Sequence, residues 1–318
     1  MTLGLLLFGL VTANDLGSFG ITVMSGLFQG MLLFLVAAGL SIIFGLMDVL
    51  NFAQGSYFMI GAYVSYAIHH SPQIQAAVPD PNLRFLFAVL AAIAVGAVLG
   101  AILERVLLRP LYARPIFQIV LTFGVAIVLG EAIKFLWSTT PYSWTSLFSF
   151  REGFFEFFGQ RFSLYRLFVI AKGFALIIAI ALLLQRTRIG IIIRAGVEDS
   201  QMVEALGINV RAVFTLVFAL GCAVAAFGGA IAAPFLGASI GLGNSFLLQA
   251  IAVVVLGGLG SYIGTAVGSL LVGLAVAVVA NFVSSPAIAQ PVFSSMTPMF
   301  LMVLVLLLRP SGLFGKES

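Results

Sequence analysis

Long apolar runs separated by short polar or glycine-rich intervals fill nearly the whole chain. The pattern predicts membrane-crossing segments at 21–46, 52–69, 84–107, 117–137, 164–185, 212–236, 246–260, 263–283 and 297–308. Each is close to the ~20 residues that a helix needs to cross a hydrocarbon core of ~30 Å. The runs are continuously apolar, whereas barrel strands alternate polar and apolar positions, so the main element is the helix. Two segments are interrupted. The run at 52–69 opens on the polar NFAQGS, and the run at 246–260 ends in LGGLGS. Such breaks at membrane depth are tolerated where they face protein or a water-lined cavity, and in transporters they border the substrate path. The expected fold is therefore an all-α polytopic bundle of about 8–9 segments with broken or re-entrant helices, forming a single transmembrane domain over 1–318.

Composition strengthens this reading. Of 318 residues, 62% are hydrophobic and 8% charged, and the mean hydropathy is +1.19. A soluble surface needs roughly 25% charged residues. The 34 glycines, mostly inside apolar runs, suit helices that pack closely through small residues. The single cysteine, Cys222, excludes an internal disulfide and reads as packing. The N-terminal MTLGLLLFGLVTAND lacks a basic stretch before its apolar run, and more apolar sequence follows at once. Both features argue against a cleaved signal peptide.

Charge then orients the chain. Arg105, Arg109 and Arg114 fall in 104–116, Arg186, Arg188, Arg194 and Arg211 in 186–211, and Arg309 and Lys316 in the C-terminal tail. These are nine of the fifteen basic residues, while 70–83 and 284–296 hold none. Basic short loops stay in the cytoplasm, so these three intervals, including the C-terminus, are expected there. The net charge of +4 thus reports orientation rather than nucleic-acid binding. On the opposite side, Trp137, Tyr142 and Trp144 read as an interfacial aromatic belt. The stretch FFEFFGQRFSLY places Gly159-Gln160 between two β-prone runs, as in a type II′ hairpin. A small extracytoplasmic hairpin near 146–163 is expected, with an interfacial amphipathic helix as the alternative.

Glu131, Lys134 and Lys172 stand inside apolar runs, where ionisable groups are costly and usually paired. Glu131 and Lys134 are spaced to pair on one helix face, and Lys172 lies at a depth that would also allow a cross-helix pair with Glu131. These charges would lock two helices as an ion pair, or the lysines would snorkel outward, or the group would serve a proton or substrate relay. His69 and His70 have no cysteine, carboxylate or third histidine nearby, so they read as interfacial residues and no metal site is expected.

Three blocks carry more specific information. In GLSIIFGLMDVLNFAQGSYFMIGAYV, residues 39–64, Asp48, Asn51 and Gln54 are three apart, which on a helix makes one polar stripe beside Gly55. The stripe is either a hydrogen-bonded helix seam or the edge of a conduit. In AIAVVVLGGLGSYIGTAVGSLLVG, residues 250–273, Gly257, Gly258 and Gly260 suit a tight break before a close-packed helix, and Gly260-Ser261-Tyr262 repeats Gly55-Ser56-Tyr57. The third block is the loop 186–211. Glu198 and Asp199 suit the positive end of a helix dipole, and Gly207 suits the C′ position that ends it. Val203, Leu206 and Ile208 offer an apolar edge. A short helix over 198–207 would give a soluble partner a docking element, or else pack on its own bundle.

Taken together, GLSIIFGLMDVLNFAQGSYFMIGAY, the TFG of Thr122–Gly124, RAGVEDSQMVEALGINV, VVLGGLGSYIGTAVG and the closing RPSGLFG resemble the permease subunits of bacterial branched-chain amino acid ABC importers, from about Gly26 to Gly315. That resemblance implies an inner-membrane subunit with no catalytic residues, working with a homologous second permease or a second copy of itself. It further implies two cytoplasmic ATPase subunits that carry ATP and Mg, and a periplasmic substrate-binding protein. The coupling helix would match Glu198, Asp199, Val203, Glu204, Ala205, Leu206 and Gly207. Asp48, Asn51, Gln54, Gly55, Gly257, Gly258 and Gly260 would border the translocation path. Close relatives carry urea or short amides, which leaves those solutes as an alternative. Glu131 and Lys172 stand where the resemblance implies uncharged residues.

Two other classes compare poorly. No GxxxxGK[ST] phosphate loop occurs in these 318 residues, so ATP would bind on another chain. An autonomous secondary transporter or channel would have only Glu131 and Lys172 as candidates for an ion site. An intramembrane enzyme finds no Ser/His/Asp, paired-aspartate or HExxH arrangement in any run.

Overall fold

The computed structural model describes residues 16–144, 153–157, 160–198, 200–282 and 290–315. Helices α1 (Leu16–Met47), α2 (Gln54–His70), a short α3 (Pro72–Ala77), α4 (Pro81–Ile102) and α5 (Pro115–Trp137) form the first half. A β-hairpin follows, β1 (Phe154–Phe157) and β2 (Gln160–Ser163), leading into α6 (Leu164–Arg186), α7 (Arg188–Glu198) and α8 (Ser200–Ala205). The second half contains α9 (Val210–Leu236), α10 (Gly241–Gly257), α11 (Tyr262–Phe282) and α12 (Gln290–Leu308). The protein is an all-α helical bundle, and α1, α4, α5, α6, α9 and α11 are long and apolar enough to cross a membrane.

Local sequence sets several boundaries. Asp80 caps α4, its Oδ1 accepting from the Asn82 amide at 2.9 Å, with Pro81 in the first turn where a missing N–H costs nothing. Asn209 caps α9 in the same way through the Ala212 amide at 3.1 Å. At its far end α4 widens into a π-helix, Leu103–Leu108, and then a 3₁₀ turn, Arg109–Leu111.

The core is built from α1, α2, α9, α10 and α11, with α1 packed along α11 and α9, and α2 along α9. Small residues permit this. A Cβ on Gly61 would sit 2.0 Å from the Ala226 carbonyl oxygen, and one on Gly273 would sit 2.2 Å from the Gly30 nitrogen. In lipid there is little hydrophobic drive between helices, so close van der Waals contact is the main attraction. By contrast α5 lies outside this core, with Ile116, Val120, Phe123, Val128 and Phe135 exposed.

Side-chain and backbone contacts gather the basic intervals at one end of the bundle. Arg109 Nη2 donates to the Arg211 carbonyl at 3.3 Å, and the Tyr112 and Phe214 rings lie 5.8 Å apart edge-on. In the tail, Leu313 and Phe314 donate to the carbonyls of Leu256 and Gly257 at 2.9 and 3.0 Å. The opposite end carries the hairpin, the His69–His70 corner and the bridge between Tyr142 and Ala238.

Several expectations change here. The hairpin replaces the alternative of an amphipathic helix. Its register pairs Phe157 with Gln160, so Gln160 belongs to β2; Gly159 of the expected turn, with the rest of 158–159 and 145–152, lies outside the described residues. Trp144 is no belt residue: it is 3% exposed, with rings of His69 at 4.6 Å and Phe85 at 5.8 Å. A bulky indole placed there closes the end of α2 against α4. The N-terminal residues 1–15 also lie outside the described residues.

Candidate functional site

The polar stripe expected across Asp48, Asn51 and Gln54 does not form, because no helix joins them. Helix α1 stops at Met47, Asp48 takes the left-handed φ of +53°, and α2 begins only at Gln54. The chain re-enters the bundle between them in irregular backbone, so its amides and carbonyls need partners inside protein. They find them locally. Thr122 Oγ1 accepts from the Phe52 amide and donates to the Leu50 carbonyl, both at 3.2 Å. Asn51 Oδ1 accepts from the Ala53 amide at 3.1 Å, while its Nδ2 donates to Gln54 Oε1 at 3.0 Å. Gln54 Nε2 then donates to the Gly221 carbonyl at 2.9 Å, in the middle of α9.

Asn51 and Gln54 are fully buried. In this conformation they stitch the broken entry of α2 to α9 and line no open passage. Gly55 packs the same entry against α10 instead, because a Cβ there would meet the Gly243 carbonyl oxygen at 2.1 Å. Thr122 is the residue that the polar spacing did not single out. It sits in the TFG on a different helix, and only tertiary contact brings it to the break.

Asp48 lies elsewhere, in a cleft of about 400 Å³ at the basic end, with Gly45, Gly196, Phe214, Leu259 and Gly260. The second break is therefore beside the first residue of the stripe rather than beside Asn51. Gly258 and Gly260 hold φ values of +103° and +80°, a region that side chains disfavour. They turn the chain from α10 into α11 while Gly312 and Gly315 pack against Gly258. The repeated Gly-Ser-Tyr tripeptides do different work. Ser56 Oγ donates to the Ala126 carbonyl, whereas Ser261 Oγ accepts from the Gly264 amide at the start of α11.

Within the loop 186–211 the described residues are helical over Arg188–Glu198 and Ser200–Ala205. Helix α7 is an unforeseen element: it begins at Arg188, so Glu198 lies ten residues into helix rather than at the start of one. Asp199 and the side chain of Glu198 lie outside the described residues. Helix α8 then covers Ser200–Ala205 and closes with Gly207 at φ +81°. The Gly207 amide donates to the Glu204 carbonyl at 2.9 Å, and the Ile208 amide to the Val203 carbonyl at 3.3 Å. Those two bonds satisfy the last carbonyls of the helix, as a left-handed C′ glycine allows. Val203 does not join the outward apolar edge: it is 4% exposed and anchors α8. Met202 and Leu206 face outward instead, at 65% and 74% exposure, beside exposed Glu204 and Ala205.

The neighbouring basic loop is tied to α9 by a carboxylate missed in the sequence. Glu104, fully buried in the π-helix, accepts from the hydroxyls of Tyr112 and Thr215 and lies 3.6 Å from Arg109 Nε. Burial, then the bond to Glu104, pushes the Tyr112 phenol well above its ordinary pKa. Periodicity offered one hint, a charged residue at the end of an apolar run, but not its partners.

The intramembrane charges separate. Lys134 Nζ donates to Glu131 Oε1 at 2.6 Å on the exposed side of α5. The cross-helix pair that its depth allowed does not form: Lys172 Nζ sits 5.1 Å from the Phe168 ring centroid beside an apolar cleft between α4 and α6. Rise along α6 gave Lys172 a suitable depth, but its helix packs against α1 rather than α5. Among the described residues no group of three His, Cys, Asp or Glu side chains is placed to hold a metal.

Comparison with known proteins gives the family of the chain. The family described as branched-chain amino acid transport system, permease component, matches residues 22–307. The high-affinity branched-chain amino acid transport system permease protein BraD of Pseudomonas aeruginosa is 30% identical over 92% of this chain and 95% of its own. LivH of Escherichia coli, described in the same words, is 27% identical over 89% of this chain and 91% of its own. A probable branched-chain amino acid transport permease protein of Methanocaldococcus jannaschii is 28% identical over 90% of this chain and 89% of its own. No solved structure matches the chain.

Proposed function

This chain belongs to the permease-component family of branched-chain amino acid transport systems, and on that premise we propose that it is the membrane-spanning subunit of an ATP-driven importer of hydrophobic amino acids. It is a multi-pass membrane protein, and in this reading it lies in a bacterial inner membrane with its basic loops and C-terminus in the cytoplasm. A periplasmic binding protein delivers the solute, and ATP is hydrolysed on two separate chains.

One observation carries the coupling part of this reading. Helix α8 stands at the basic end with Met202 and Leu206 turned out to solvent, while Val203 roots it in the bundle. Exposed apolar side chains beside Glu204 suit a soluble partner that pushes on the helix. Movement there would reach α9 directly, since only 206–209 separates the two helices. Helix α9 in turn holds the broken entry of α2 through the Gly221 carbonyl.

The solute path is best placed on the outward face of α10 and α12. Ser245, Gln249 and Ser295 line a cleft of about 530 Å³ there, with Leu248, Met299 and Phe300, and Asn244 is exposed beside it. Polar side chains in apolar helices avoid lipid and face protein or a hydrated cavity. A second permease covering this face would enclose such a cavity between the two subunits.

The test is uptake into proteoliposomes. Leucine accumulation should require the copurifying ATPase chains and the binding protein, and should fail with urea or acetamide. Uptake by this chain alone would refute the importer reading in favour of an autonomous carrier.

A further inference from the structure

We propose that a cleft at the basic end, between the π-helical end of α4 and the start of α9, binds the headgroup of an anionic phospholipid. The cleft is about 540 Å³ and is lined by Arg105, Arg109, Arg211, Asn209, Leu216 and Ala219 among others. Three arginines line it, from two stretches that are distant in sequence. Counting loop charges explains why arginines lie at this end. It does not explain why three of them converge on one cavity.

The arrangement is built around Arg109. Its Nη2 donates to the Arg211 carbonyl at 3.3 Å and to Thr215 Oγ1 at 2.9 Å, and its Nε lies 3.6 Å from Glu104. Glu104 thus balances Arg109. Arg105 and Arg211 have no carboxylate within ion-pair distance among the described residues. Two uncompensated positive charges therefore remain at the cleft, each with a planar fork of donors matched to phosphate oxygens.

The walls select a lipid over a soluble anion or an acidic protein segment. Leu216 and Ala219 belong to α9 and Ala101 to α4, both membrane-crossing helices, and Leu216 is 40% exposed. An occupant whose phosphate meets the arginines would continue over these apolar side chains into the bilayer. That needs a charged head joined to an acyl chain. Basic pockets at the cytoplasmic ends of spans attract anionic headgroups by about this mechanism.

The experiment measures lipids retained by the full-length protein, purified with its copurifying subunits from membranes containing phosphatidylglycerol and phosphatidylethanolamine. Native mass spectrometry should find phosphatidylglycerol retained in preference. The double variant Arg105→Gln/Arg211→Gln should lose that preference, by about fivefold for each arginine. Arg186→Gln/Arg188→Gln, which alters basic residues outside the cleft, should keep it. Leu216→Gln should weaken retention with all three arginines in place, and excess inorganic phosphate should not displace the lipid. Thermal unfolding of each variant separates loss of lipid from loss of fold. Equal retention of both lipids by the unaltered protein would overturn the proposal, as would a preference that survives Arg105→Gln/Arg211→Gln. Displacement by inorganic phosphate would do the same, since the site would then take a soluble anion. Stripping the soluble subunits should leave the preference unchanged; a preference that appears only after they are stripped would assign the cleft to a protein segment and overturn the proposal.

Discussion

The Thr215 hydroxyl donates a hydrogen bond to the Glu104 carboxylate, joining two residues 111 positions apart. Through it the π-helical end of α4 is held to the first turns of α9, beside the loop that carries α8. Glu104 is fully buried and also takes the Tyr112 hydroxyl. Its replacement would leave several polar groups without partners at once.

Glu104→Ala is expected to destabilise the protein by about 3 kcal/mol, and Glu104→Gln by roughly half of that, because the amide keeps one acceptor. Thermal unfolding in detergent measures this directly. An unchanged midpoint for Glu104→Ala would show that the network contributes nothing.

Substitutions on glycine should divide sharply by helix. Gly61→Val forces α2 away from α9, since even its Cβ would stand 2.0 Å from the Ala226 carbonyl oxygen. The cost should be at least ~1–3 kcal/mol, and should appear as poor membrane yield and a lower midpoint. Gly124→Ala on α5 meets nothing within 4 Å and should be neutral in the same assay.

Within α8, neighbouring positions should fail in different ways. Leu206→Asp leaves the bundle intact, because Leu206 is outside it, and should reduce ATP-driven uptake by about tenfold if a partner buries this side chain. Val203→Asp puts a charge into a buried site and should lower stability before any transport is measured. Equal loss of fold in both variants would remove the distinction between anchor and contact.

The C-terminal tail should matter for stability although it lies beyond the last helix. Gly312 sits at φ +79° with its Cα side against Gly258, and the two following amides occupy the last carbonyls of α10. Gly312→Val combines left-handed strain with a clash, so a loss of about 2 kcal/mol is expected. Deleting 310–318 should have a similar effect on the unfolding midpoint, and retention of the full midpoint would sink the idea that the tail clamps the second break.

Much of the architecture could be read from the order of residues. Apolar run length depends only on local composition, so the segments, the hairpin strands and the shared end of the three basic intervals were visible before any contact was known. The charged interval 186–211 stood out for the same reason, and Gly207 marked the end of a helix because only a left-handed residue suits that place.

The contacts were not legible in this way. Asn51 and Gln54 looked like a helical stripe with Asp48, yet they bond each other and Gln54 reaches the Gly221 carbonyl on α9, while Thr122 of α5 holds the backbone of Leu50 and Phe52. Glu131 chose Lys134 over Lys172 because α5 and α6 do not pack together. Val203 turned inward although its neighbours Met202 and Leu206 did not. Hydrophobicity says that a segment enters the membrane, but it is nearly the same on every face of these helices. Which face meets which neighbour is decided by close packing at glycines and by the need of each buried polar atom for a partner, and both depend on residues far apart in the chain.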